Sequence, residues 1–137
     1  MTNAIDWDTL AREARAAARH AYVPYSRFAV GAAILTADGK IVRGCNVENA
    51  SFGMTNCAER TAIFSARADG MEEVLAVCIY TPTDVPTPPC GACRQVLNEF
   101  GPDMAVRAIC NGPDIIDTTL SQLLPGAFGP KNLRDAG

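Results

Sequence analysis

Apolar and polar positions along this chain follow two periods, and the switches between them outline the fold. In residues 6–20, "DWDTLAREARAAARH", Leu10, Ala14, Ala17 and Ala18 fall on one helical face. Asp6 or Asp8 can cap its start, and "YVPYS" breaks it. Residues 27–47 form two strand-like runs around Asp38-Gly39, a strong hairpin signal. "ENASFGMTN" reads as a loop. A second helix is predicted over 57–68, with Ala58, Ala62, Ile63 and Ala66 turned inward. "VLAVCIYT" (74–81) is a continuous apolar run, as expected of a strand covered on both faces. A proline-rich connection follows. Residues 90–100 then read as a helix and 104–110 as a strand. The stretch 74–110 is therefore a β-α-β unit, which favours parallel pairing. A short "DIID", a helical "TLSQLL" and the tail "PGAFGPKNL" complete the chain. No repeat or linker interrupts it. The pattern predicts one α/β domain over 1–137 with a mixed sheet.

Composition narrows the class. The chain has 137 residues, 48% hydrophobic and 20% charged, which suits a globular domain with a real core. Its net charge of −3 argues against a nucleic-acid or anionic-membrane binder, which needs a basic face. Asp6, Asp8, Arg12, Glu13 and Arg15 exclude a signal-peptide apolar core from the first twenty residues. No apolar run approaches the roughly 20 residues that span a bilayer. These features predict a cytoplasmic protein. Its six cysteines then need a reason other than disulfides, which are rare in a reducing cytosol.

Cys90-Gly91-Ala92-Cys93 has two readings by itself: half of a zinc site, or a redox dithiol at a helix start. Cys57 shifts the balance. Cys57 and Cys90 both fall at predicted helix N-termini, where free N–H groups favour thiolate. Three thiolates on one zinc leave a fourth position for water, the pattern of a catalytic site. Glu59, two residues from Cys57, is poorly placed as a ligand but could reach that water and exchange protons with it. Its plain reading is a solvated first-turn carboxylate. A zinc with three thiolates is a poor Lewis acid, so some positive charge must compensate. Arg60, three residues after Cys57 on the same side of the helix, is the first candidate. Arg94, beside Cys93, is the rival.

C-A-E upstream of P-C-x-x-C is the signature of zinc nucleobase deaminases in their three-cysteine form. Beyond it, the chain closely resembles the small homotetrameric cytidine deaminases. The resemblance runs over nearly the whole chain, through "PYSRFAVGAA" (24–33), "GCNVENAS" (44–51), "TNCAERTA" (55–62), "PPCGACRQVL" (88–97) and "LLPGAF" (123–128). It implies a three-layer α/β/α sandwich with a mixed five-stranded sheet. It implies one zinc per subunit on Cys57, Cys90 and Cys93, Glu59 as proton shuttle and Arg60 as the compensating charge. It implies that Asn46 and Glu48 hold the ribose, that Phe28 and Ala58 contact the nucleoside, and that Phe128 reaches a neighbouring subunit's site. The reaction so implied is hydrolysis of cytidine and deoxycytidine to their uridine counterparts and ammonia, a pyrimidine-salvage step. Glu59 would carry a proton to ring N3 and then to the leaving amine. Where many members have Tyr in "ENASYG", this chain has Phe52.

Three other readings stay open on the sequence. A cytosolic thiol oxidoreductase would use Cys90 and Cys93 but leave Cys57 and Glu59 idle. A non-enzymatic zinc module would take Cys45, Cys78 or Cys110 as fourth ligand, although these three read as structural. A deaminase of another aminopyrimidine, such as blasticidin S, would not need Asn46 and Glu48. His20 reads as a helix-end residue without a catalytic part.

Overall fold

The computed structural model describes residues 4–134, so three residues at each end of the expected domain lie outside it. In chain order the elements are α1 (Trp7–Ala18), β1 (Gly31–Thr36), β2 (Ile41–Cys45), a 3-10 turn (Phe52–Met54), α2 (Ala58–Ala68), β3 (Val74–Tyr80), α3 (Gly91–Phe100), β4 (Ala105–Ile109), β5 (Ile116–Thr119), α4 (Leu120–Leu123) and α5 (Pro130–Arg134). The capping residue of α1 is Asp6, whose carboxylate accepts from the Thr9 amide at 3.1 Å. In the hairpin turn Gly39 takes φ +89°, a conformation that an L side chain resists.

The five strands form one sheet in the order β2-β1-β3-β4-β5. β3 and β4 run parallel across α3, as the β-α-β pattern requires, and the other neighbours pair antiparallel. Side chains alternate across the sheet. Ile34, Val77, Ile79 and Val106 pack with Ile63 of α2 and Leu97 of α3. Ala33, Ala76 and Cys78 pack with Leu10 and Ala14 of α1 on the opposite face. The sheet is thus the middle layer of three. Two glycines set how closely the outer layers approach. A Cβ on Gly31 would lie 1.9 Å from the Ala14 carbonyl oxygen, and one on Gly44 would lie 2.3 Å from that of Ala58.

Several details depart from the pattern. β3 is not covered throughout: Leu75 is 42% exposed, because the register with β1 slips between Leu35 and Thr36 and leaves it no partner. The helix expected over "TLSQLL" is only Leu120–Leu123. Its leading threonine stays in β5, where Thr118 and Thr119 pair with Val106 and Ala105, as suits β-branched residues. The loop after β2 and the C-terminal tail contain the 3-10 turn and α5, neither of which has a periodic signature. Among the described residues, no helix is long and apolar enough to cross a membrane.

Candidate metal and catalytic centre

Two helix N-termini converge beyond the C-terminal end of β3, where ligands bind in open α/β sheets. Cys57 is the N-cap of α2 and Cys90 the N-cap of α3, both in extended conformation. Neither side chain caps its own helix, so both sulfurs are free to face outward from the first turn. Cys93 follows one turn into α3. The three sulfurs lie within 4.8 Å of one another, with Cys57 and Cys90 Sγ 3.9 Å apart. Ligands about 2.3 Å from a tetrahedral zinc are about 3.8 Å from each other, so this cluster fits the ion. Among the described residues it is the group of three or more potential ligands close enough to hold a metal.

The remaining thiols lie elsewhere. Cys78 is fully buried under α1, and burial pushes its thiol up to about 12. Cys110 is buried with Sγ 3.6–3.7 Å from the carbonyl oxygens of Asp84, Gly112 and Asp114. Cys45 is half-buried at the end of β2, its thiol raised by burial. None joins the cluster, which removes the fourth ligand that a closed, non-enzymatic site would need.

The surroundings of Cys57 favour thiolate. The Cys57 thiol is lowered to about 5, chiefly by a hydrogen bond from Cys93 and then by the Arg60 guanidinium. Cys93 is correspondingly raised, first by its hydrogen bond to Cys57 and then by burial. Arg60 Nη2 donates to Cys57 Sγ at 3.1 Å. Arg94, the alternative, instead donates from Nε to the Pro89 carbonyl at 2.8 Å and from Nη1 to the Leu123 carbonyl at 2.9 Å.

Glu59 is not a solvated first-turn carboxylate. It is only 4% exposed and lines a cavity of about 230 Å³ beside Cys57 and Cys90. Burial raises its carboxyl above the usual range, and the charge on Cys57 acts in the same direction. Phe28, Asn46 and Ala58 line the same cavity. Asn46 accepts the Val30 amide at 2.9 Å and donates to the Phe28 carbonyl at 2.8 Å, which fixes the segment that carries the Phe28 ring into β1. Glu48 lines an adjoining cavity of about 300 Å³ with Tyr25, Ser26 and Phe52, and Thr55 borders both. Its carboxylate accepts the Tyr25 and Ser26 amides at 3.0 and 3.1 Å and the Ser26 hydroxyl. These bonds hold it below the usual carboxylate range. The two polar residues thus line separate cavities that meet at Thr55. Phe52 meets Tyr25 edge-on, with ring centres 5.6 Å apart. Phe128, 60% exposed, does not line this cavity; its carbonyl accepts from Gln95 Nε2 at 2.8 Å. A larger groove of about 630 Å³ beside the C-terminal arm shares no lining residue with the thiol cavity and holds no comparable chemistry.

Sequence reasoning missed Thr55, Thr81, Thr87 and Pro88, which complete the cavity wall. Nothing in their periodicity marks them. They arrive from a loop, a strand end and a proline-rich connection that only the fold brings together.

The family model for the cytidine and deoxycytidylate deaminase zinc-binding region matches residues 6–109. A cytidine deaminase from Halalkalibacterium halodurans is 51% identical over 132 residues, which cover 96% of this chain and all of the relative. The crystal structure of a cytidine deaminase from Burkholderia pseudomallei superposes with a TM-score of 0.87 at 48% identity, covering 90% of this chain and all of that one. That of the Mycobacterium tuberculosis cytidine deaminase does so with a TM-score of 0.78 at 43% identity, covering 92% and 99%.

Proposed function

The chain belongs to the zinc-binding cytidine and deoxycytidylate deaminase family, and from that premise we propose that it hydrolyses cytidine and 2′-deoxycytidine to uridine and 2′-deoxyuridine with release of ammonia. The observation that carries this reading is a buried carboxylate, Glu59, in the same small cavity as a three-sulfur cluster of zinc dimensions. Bound to Cys57, Cys90 and Cys93, zinc supplies a Lewis acid that makes water a nucleophile near neutral pH.

The chain's own residues do the rest. Glu59 removes a proton from the attacking water and delivers it to ring N3. It then takes the proton of the hydroxyl added at C4 and passes it to the exocyclic amine, which leaves as ammonia while the C4 carbonyl forms. One carboxylate serves as base and then as acid because its position allows it to reach both atoms. Arg60 holds the Cys57 thiolate by a charge-assisted hydrogen bond and draws off some of its negative charge. Phe28 and Ala58 wall the ring, and the proline segment before Cys90 helps exclude water. The inner cavity suits a single heterocycle, and the opening between Asn46 and Glu48 is where the sugar emerges. Asn46 keeps one amide hydrogen and one lone pair beyond its two backbone bonds. The usual tyrosine hydroxyl is missing at Phe52, so the sugar is held without it.

The same reading includes a homotetramer in which Phe128 completes a neighbour's site. What supports it is the exposure of Tyr22, Tyr25, Val47, Phe52 and Met54 in the segments around the opening, with Phe128 exposed away from its own cavity. A cytoplasmic location also belongs to it, since six free thiols suit a reducing compartment.

Relative kcat/KM for cytidine, 2′-deoxycytidine, 3′-deoxycytidine and cytosine tests the proposal. The first two should be good substrates. A lost hydrogen bond to a charged group costs about 10–200-fold, so 3′-deoxycytidine should fall by at least that much. Free cytosine should be very poor, lacking the sugar whose binding positions the ring. Equal values for cytosine and cytidine would remove the ribose role from Asn46 and Glu48, and with it the nucleoside assignment.

A further inference from the structure

Arg94 lies one turn into α3, directly after Cys93, but its guanidinium is spent on two backbone carbonyls. The first, at Pro89, belongs to the residue immediately before Cys90. Pro88 and Pro89 have no N–H, so their backbone can hydrogen-bond only through its carbonyls. The second, at Leu123, is one of the last carbonyls of α4, which lack partners within their helix. Leu123 also stands at the root of the C-terminal arm. One residue further along α3, Gln95 Nε2 holds the Phe128 carbonyl at 2.8 Å, and Asn98 Nδ2 approaches the same oxygen at 3.5 Å. A single helix therefore carries two of the three sulfurs at its start and grips the arm at two points along its length.

We infer that Arg94 is a positioning residue of the metal centre, which ties the proline segment leading into Cys90 to the root of the C-terminal arm and so couples retention of zinc to order in the arm. The inference rests on the reading that Cys57, Cys90 and Cys93 hold zinc. It gives Arg94 a different part from Arg60. Arg60 faces a sulfur and acts by its charge, whereas Arg94 acts by the geometry of two directed bonds. A lysine at 94 keeps the charge but is a single point donor that cannot span both carbonyls.

The test is zinc release from the zinc-loaded full-length protein into the chromophoric chelator 4-(2-pyridylazo)resorcinol. Wild type is compared with Arg94→Lys and Arg94→Gln, with folding of each followed by circular dichroism. Both variants should release zinc roughly 10-fold faster or more, with the lysine no better than the glutamine. Release at the wild-type rate by both variants, or by lysine alone, overturns the inference. A second measurement needs no variant. Amide exchange in wild type is compared before and after chelation, with residues 124–134 read against those of β3. The arm should gain exchange relative to the strand; no gain, or an even gain across the chain, overturns the coupling. A wild-type protein that takes up no zinc would instead reject the metal site itself.

Discussion

Glu59 and Arg60 are adjacent in sequence, yet the first turn of α2 sends them to different tasks. Glu59 enters the cavity, and Arg60 reaches back to the Cys57 sulfur. Glu59→Gln keeps shape and volume and removes only the titratable group. It should retain stoichiometric zinc by metal analysis while turnover falls by at least about 10²–10⁴-fold, the scale of one acid–base residue. Near-normal turnover would reject its role. Arg60→Ala leaves a partly buried thiolate without its donor. A loss in kcat of about 10–200-fold is expected, with zinc still bound. Full activity would move the charge compensation to the helix N-termini. Cys57→Ala, Cys90→Ala and Cys93→Ala should each lose zinc and activity, whereas Cys78→Ala should only loosen the core under α1. The sulfurs were legible in the sequence because metal ligation restricts both residue type and spacing. Asn46 and Glu48 were less so: residue spacing suggested a shared direction, while the structure uses each to fix a different part of segment 25–30.

At the scale of elements, α2 is aimed by the strand beneath it. α2 lies against β2 so closely that Gly44 leaves no room for a methyl group: a Cβ would be 2.3 Å from Ala58 O and 2.4 Å from Ala62 N. Both atoms are backbone and cannot rotate away. Gly44→Ala should therefore push α2 off the sheet and displace Cys57 and Glu59 with it. A stability loss of roughly 1–3 kcal/mol or more is expected in urea unfolding, together with weaker zinc retention. Gly91→Ala is the control. It lies between two of the thiols, but a Cβ there meets nothing within 4 Å and its φ is ordinary. That variant should fold and keep its zinc. Unchanged stability in Gly44→Ala would show that α2 is free to shift and is not aimed by the sheet. The alternation of apolar residues announced these elements, but not how near they come. That distance depends on two glycines whose role appears only when helix and strand are superposed.

For the molecule as a whole, the outstanding feature is apolar surface around the opening. Phe52 is 73% exposed and Phe28 38% exposed, beside Tyr25 and Met54. An isolated chain would leave this region wet, which is costly for aromatic surface and typical of an interface. Deleting residues 126–137 removes Phe128 and most of the arm. In the proposed assembly this should lower kcat/KM sharply and weaken the tetramer, as read by sedimentation velocity. A truncated monomer with full activity would refute shared sites.

The sequence by itself determined the candidate ligands and proton carrier and an α/β domain with a mixed sheet; the three-layer order came only with the family resemblance. Thiol spacing, a carboxylate two residues after a cysteine and the Asp-Gly hairpin are each encoded within a few adjacent residues, and the β-α-β alternation within one continuous stretch, 74–110. The tertiary structure alone decided what those groups meet. It brought α2 and α3 to one point so that sulfurs 33 positions apart lie 3.9 Å from each other. It buried Glu59, which local pattern would leave in water, and it separated Arg60 from Arg94, which sequence position could not. Burial and hydrogen-bond partners come from segments distant in the chain, and no local period records them.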